Sequence, residues 1–192
     1  RLCVVPGGDM FRSIRKGDAS VVTDRITKFT QSGIELESGQ VLDADLVVTA
    51  TGLDLLALGG IRFSVDGEEQ ELGEAVTYLG MMMTGLPNLI CSFPYPHVAW
   101  TLRVEVVAEH FQRILEYMDR AGYDSCVPVN RDSHLETRAF GDYTSNYVQR
   151  GKHLFPQSAD SEPWNLDLNL KRDRKNLRTR KLEDGSLTFS RI

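Results

Sequence analysis

The 192-residue chain is 41% hydrophobic and 26% charged, the balance of an ordinary globular protein of one domain or parts of two. A net charge of −5 argues against general affinity for nucleic acid or anionic membrane, and no apolar run reaches the length of a membrane span or forms a signal peptide. Cys3, Cys91 and Cys126 are widely spaced and form no C-x-x-C, which argues against a disulfide scaffold, a zinc site or a dithiol redox centre and suits a reducing, cytoplasmic compartment.

In chain order, residues 2–5 read as a short strand and Pro6-Gly7-Gly8-Asp9 as a turn. Met10, Phe11 and Ile14 fall at helical spacing, and Gly17 stands where a helix would close. Residues 19–29, with Val21, Val22, Thr23, Ile26 and Thr27, predict one extended strand. Ile34 and Leu36 alternate with Glu35 and Glu37, a half-exposed strand that turns at Ser38-Gly39 and returns through Val41-Leu42. Leu46, Val47 and Val48 then form a continuous apolar run that stops at Thr51-Gly52. Such a run predicts a strand covered on both faces, with its tip at a crevice of the kind where α/β proteins bind ligands. A plain core strand and turn would look the same.

Ile61, Phe63 and Val65 alternate before Asp66-Gly67, a strong hairpin signal, and Glu68 to Glu71 read as a solvated loop rather than a metal site. Residues 78–83, with Met81, Met82 and Met83, have the adaptable shapes that fill a core. After a turn at Gly85-Leu86-Pro87-Asn88, residues 89–93 form a second continuous apolar strand. Residues 97–120 predict the longest element, a helix with Trp100, Val104, Val107, Phe111, Ile114 and Met118 as its apolar stripe. Arg103, Glu105, Glu109, Gln112, Arg113 and Glu116 occupy the opposite face, so Arg103 reads as a surface or salt-bridge residue. The start of this helix would offer unpaired N–H groups and partial positive charge to an acceptor oxygen.

Beyond Gly122 the expected elements are a strand at residues 127–129, a helix carrying Phe140, Tyr143, Tyr147 and Val148, and an irregular segment at 156–163. The basic residues from Lys171 to Lys181 read as a solvated tail, with phosphate contact as the alternative. Leu187, Phe189 and Ile192 suggest a last short strand.

Three separated stretches resemble one family. Val48-Thr49-Ala50-Thr51-Gly52 resembles the Ala-Thr-Gly signature of flavin-dependent pyridine-nucleotide oxidoreductases, and Gly85-Leu86-Pro87-Asn88-Leu89 resembles their late Pro-Asn-Leu strand. Trp100-Thr101-Leu102 at a helix start is similar to the Ser-Trp-Thr-Leu pattern of class B flavoprotein monooxygenases, the flavin-containing and Baeyer–Villiger group. The opening Cys3-Val4-Val5-Pro6, Gly8-Asp9 and Ala19-Ser20-Val21-Val22-Thr23-Asp24, with Pro163-Trp164 and Asp184-Gly185, are similar to that group as well.

The resemblance implies an α/β fold: the C-terminal part of a Rossmann-like flavoprotein with two dinucleotide-binding domains, holding an incomplete sheet and a long amphipathic helix. It implies the end of an NADPH-binding domain at 1–50, the C-terminal part of an FAD-binding domain at 51–122 and an extension at 123–192. It further implies FAD and NADPH as cofactors, and dioxygen and a small organic molecule as substrates. The reaction implied is oxygen insertion into a ketone or soft nucleophile through a C4a-(hydro)peroxyflavin. Carried onto this chain, N–H groups near Trp100, Thr101 and Leu102 would face the flavin pyrimidine oxygen. Thr51 and Gly52 would let the backbone approach FAD. His97 would tune the flavin or cap the turn, and the Trp100 indole would contact flavin or belong to the core.

The chain departs from the family pattern in having no G-x-G-x-x-G, so neither phosphate-binding loop is present, and in carrying Phe93-Pro94-Tyr95-Pro96-His97-Val98-Ala99 before the helix. No Ser-His-Asp set or spaced carboxylate pair marks a catalytic side chain, and no residue set marks a metal. The competing expectation is a non-catalytic module that folds and self-associates through apolar edges around Val47 and Ile90.

Overall fold

The structure, a computed structural model, describes residues 5–93, 99–139, 145–166 and 169–192. Its contacts divide the chain into two units, Arg1–Gly52 and Leu53–Ile192. The strand expected at residues 2–5 lies mostly outside the described residues.

In the first unit, helix α1 (Asp9–Lys16) ends at Gly17, whose left-handed backbone (φ 80°) lets its N–H reach the Ile14 carbonyl at 3.1 Å. Strands β1 (Ile26–Phe29), β2 (Gly33–Leu36) and β3 (Val41–Asp43) form an antiparallel sheet with β2 in the centre. Gly33 is required there, because a Cβ would strike the Leu42 carbonyl of β3. Only the last third of the strand expected at 19–29 pairs, and Val21 and Val22 remain exposed. The buried strand expected at 46–50 does not form: the segment has no ladder, with Leu46 80% and Val48 79% exposed. A continuous apolar strand obtains its hydrogen bonds and cover from flanking strands and helices, and no described element supplies them.

The second unit begins with the hairpin of β4 (Phe63–Val65) and β5 (Glu68–Gln70). Asp66 and Gly67 both take positive φ (53° and 87°), the geometry of the turn that the Asp-Gly pair favours. Glu68 to Gln70 is therefore an edge strand rather than a loop. The short hairpin of β6 (Thr77–Tyr78) and β7 (Met82–Met83) lies at the centre of the core, where Tyr78, Met81, Met82 and Met83 are almost wholly buried. Residues 89–93 form no ladder, but the Cys91 N–H donates to the Met81 carbonyl at 2.7 Å, so the segment runs beside the core without extending a sheet.

Helix α2 (Trp100–Ala121) is the longest element and is closed by Gly122 (φ 68°). Its buried residues are Arg103, Val106, Val107, His110, Ile114 and Met118, whereas Trp100, Val104 and Phe111 of the expected stripe are exposed. The helix is thus turned from the orientation that hydrophobicity alone would choose. Arg103 and His110 can face inward because the core supplies partners for them.

Beyond α2 come β8 (Ser125–Pro128), β9 (Thr137–Ala139), α3 (Asn146–Gly151), β10 (Gln157–Ala159), α4 (Leu170–Thr179) and β11 (Leu187–Ser190). Strand β11 pairs antiparallel with β8, setting Phe189 opposite Cys126, and β10 pairs with β9. Phe140 and Tyr143, expected in the helix before Gly151, lie outside the described residues. The basic segment is not a solvated tail. Most of it is α4, whose Asn169 side chain caps the Lys171 and Arg172 N–H groups and whose Asp173 and Leu177 are buried. Arg174 and Arg178 reach Glu105 and Glu109 of α2. The fold is a mixture of helix and strand, and among the described residues every ladder is antiparallel apart from one isolated parallel bridge, Val76–Gln157.

Candidate functional site

The start of α2 has the features of an acceptor-binding helix end. Ala99 precedes it in extended conformation (φ −61°, ψ 138°), no side chain caps it, and its first turn holds no acidic residue. The N–H groups of Trp100 and Thr101 come before any intrahelical acceptor, and the dipole gives that end partial positive charge. Leu102 behaves otherwise than expected, because its N–H is spent on the Ala99 carbonyl at 3.2 Å. Trp100 is 61% exposed, so its indole is not a core side chain, and Thr101 is exposed beside it. His97 lies outside the described residues.

Thr51 and Gly52 end the first unit and are exposed. Gly52 has φ +91°, and nothing lies within 4 Å of the position its Cβ would take, so its backbone is open to close approach. The structure therefore gathers Trp100, Thr101 and Leu102 at one helix end and places Thr51 and Gly52 in the other unit.

Beneath the helix start lies a polar cluster whose burial the sequence reading missed. Arg103 is 1% exposed; its guanidinium forms a salt bridge with Asp173 of α4 and donates to the Leu79 carbonyl at 2.5 Å. His110 Nδ1 donates to the Leu177 carbonyl at 2.5 Å, and Arg113 donates to the same oxygen at 2.7 Å and to the Arg180 carbonyl at 2.6 Å. Burial, reinforced by the Arg113, Arg180 and Arg103 cations, pushes the His110 pKa down to about 4. His110 is thus neutral at physiological pH and carries its proton on Nδ1. The Tyr78 hydroxyl is held well above its ordinary range by burial and by the Asp184 charge. Arg103 and His110 stand in the same helical row as Val107, Ile114 and Met118, and that spacing was the signal available.

Two clefts open on the second unit. One of about 530 Å³ is lined by Leu56, Ile61, Phe63, Leu72 and Leu154, with Arg62, Glu69, Glu74 and His153 among its polar residues. The other, about 310 Å³, lies against α2 between Ile90, Phe111, Ile114, Leu115 and Cys126. Neither is lined by Thr51, Gly52 or Trp100 to Leu102. Burial pushes the Cys126 thiol up to about 12 and the Cys91 thiol up as well, so neither is a ready nucleophile.

No protein-family model matches the chain. Individual relatives do. The protein named "Probable FAD-binding monooxygenase AlmA" of Acinetobacter baylyi is 42% identical over 192 residues, and the FAD-containing monooxygenase EthA of Mycobacterium tuberculosis is 41% identical over 191. EthA of Mycolicibacterium smegmatis is 40% identical over 191 residues. Over its whole length the chain is thus similar to part of FAD-binding and FAD-containing monooxygenases. It is covered completely in each of these three comparisons but spans only 39% of the length of each relative. For a chain similar to FAD-containing monooxygenases the start of α2 is chemically apt, since N–H groups on a positive helix end without a side-chain cap suit a flavin carbonyl oxygen that gains electron density on reduction. The exposed Gly52 backbone is equally compatible with a close-lying cofactor.

Proposed function

We propose that this chain is the C-terminal part of an FAD- and NADPH-dependent monooxygenase that uses dioxygen to oxygenate a small organic molecule, either a ketone or a soft nucleophile. The observation that carries this reading is the identity of about two residues in five, maintained along the whole chain, with FAD-containing monooxygenases. Bound flavin would supply the redox chemistry, accepting electrons from NADPH and delivering them to dioxygen. The chain's own share is to bind and orient. Trp100 and Thr101 N–H groups would hold the flavin pyrimidine edge and stabilise negative charge there; Thr51 and Gly52, in the first unit, are proposed separately as a stretch of backbone that admits close approach of the cofactor. A role for His97 in tuning the flavin belongs to the same reading. The phosphate-binding loops belong to the rest of the polypeptide, so the isolated chain retains neither FAD nor NADPH.

The test is Trp100→Pro in the full-length polypeptide. Ala99 is already extended, the conformation that a following proline requires, and proline is tolerated at the first helical position. The substitution deletes one donor while leaving the helix intact, and Trp100→Ala controls for loss of the indole. Expected is weaker FAD retention on gel filtration for the proline variant than for the alanine variant. Equal retention by both would remove the helix start from the flavin site. Retention of FAD by the isolated chain would show that it carries a complete site of its own.

A further inference from the structure

Arg103 closes the first turn of α2, immediately after Trp100, Thr101 and Leu102, and is the largest of the side chains buried to within 2% exposure. Its guanidinium joins three segments at one point. Asp173 comes from α4, the Leu79 carbonyl comes from the β6–β7 turn, and the Leu79 N–H in turn donates to the Pro163 carbonyl at 2.7 Å. The fit is tight: a Cβ on Gly80 would come within 2.8 Å of Arg103 Nη2 and 2.5 Å of Leu166 Cδ1. Removing two charges from water is costly, and an apolar pair of similar volume would join two helices at least as firmly. What the ion pair adds is direction, because a planar fork held between a carboxylate and a carbonyl admits only a narrow range of helix height and tilt.

We propose that the Arg103–Asp173 pair is a positioning device for the flavin site, by which α4 sets where the Trp100 and Thr101 N–H groups meet the cofactor. This rests on the reading that the start of α2 faces flavin. Arg103 touches no reacting atom. It acts through the turn it closes, and the segment bearing α4 thereby becomes part of the cofactor site without reaching it.

The experiment uses the full-length flavoprotein and three variants: Arg103→Lys, which keeps the charge and loses the fork, Asp173→Asn, and the volume-matched double variant Arg103→Met with Asp173→Leu. FAD affinity of the apoprotein, the midpoint potential of bound flavin and the thermal midpoint are measured for each. Both single variants are expected to bind FAD about tenfold more weakly, the equivalent of one impaired charge-assisted hydrogen bond, and to hold flavin at a more negative potential. The double variant is expected to regain thermal stability and to keep the weakened affinity and shifted potential. A fall in thermal midpoint with wild-type affinity and potential would overturn the proposal, as would a double variant that recovers all three together. Should Asp173→Asn fail to fold, Arg103→Lys and the double variant give the same readouts. Trp100→Pro separates the two failures: if it weakens FAD binding and the Arg103 variants do not, only the positioning role falls. If it too leaves FAD unchanged, the flavin-facing reading of the helix falls and this proposal with it.

Discussion

His110 makes the pH dependence of folding calculable. Its ring is fully buried, Nδ1 donates to the Leu177 carbonyl, and Nε2 has no hydrogen-bond partner. Arg113, Arg180 and Arg103 surround it with positive charge, and the Tyr78 ring lies 6.4 Å away, centre to centre. Its pKa falls from 6.5 in the unfolded chain to about 4 in the folded one. Between those values the unfolded chain binds a proton that the folded chain refuses, so acidification through this window favours unfolding. Above pH 6.5 neither state holds the proton and the contribution is flat. The full displacement corresponds to about 3 kcal/mol, lost progressively as pH falls from 6.5 toward 4. His110→Asn keeps a donor for the Leu177 carbonyl and cannot titrate. Urea unfolding followed by circular dichroism at several pH values between 7.5 and 4.5 should show wild type approaching the variant in stability as the medium becomes more acidic. The background of titrating carboxylates cancels in that difference. A difference that stays constant across the range would refute the reasoning, as would an NMR titration placing His110 near 6.5 in the folded chain.

Two smaller perturbations test local structure. Asn169→Ala removes the cap that accepts from the Lys171 and Arg172 N–H groups and should lower stability by about 1 kcal/mol, visible as a reduced urea midpoint with an unchanged slope. Glu109→Gln breaks the paired contacts of Glu109 with Arg178, at 2.5 and 2.6 Å on the exposed side of the α2–α4 contact. Its effect on the thermal midpoint should be small at low salt and should fade in high salt, since both partners are partly solvated.

What the sequence revealed follows the range of the interactions concerned. The Asp66-Gly67 hairpin, the helix ending at Gly17, the Met-rich core segment and the long helix before Gly122 are each fixed by local backbone chemistry, and all are present. The strand at 46–50 is an interaction between segments, and its apolar residues name a need for neighbours without providing them. The rotation of α2 was hidden for a different reason. Hydropathy assigns Arg103 and His110 to water, and partners distant in the chain, among them Asp173 and the Leu177 carbonyl 70 and 67 residues further on, offset the cost of their burial. The basic residues of α4 were misread for the same reason, because their acidic partners stand on α2. At the site, the open helix end was foreseeable from the position of Trp100, whereas the use of the Leu102 N–H within the helix was not.

Core packing gives the molecule a chemical clock. Cys126 is 1% exposed on β8, opposite Phe189 of β11, and its thiol is raised to about 12. An alkylating reagent meets a thiolate there only after the core packing around β8 has loosened. The rate of labelling at Cys126 therefore counts the openings of the core around β8, while half-buried Cys91 reports on the chain segment just ahead of α2. Two thiols of one polypeptide can thus time the separate loosening of the segment before α2 and of the core packed against it.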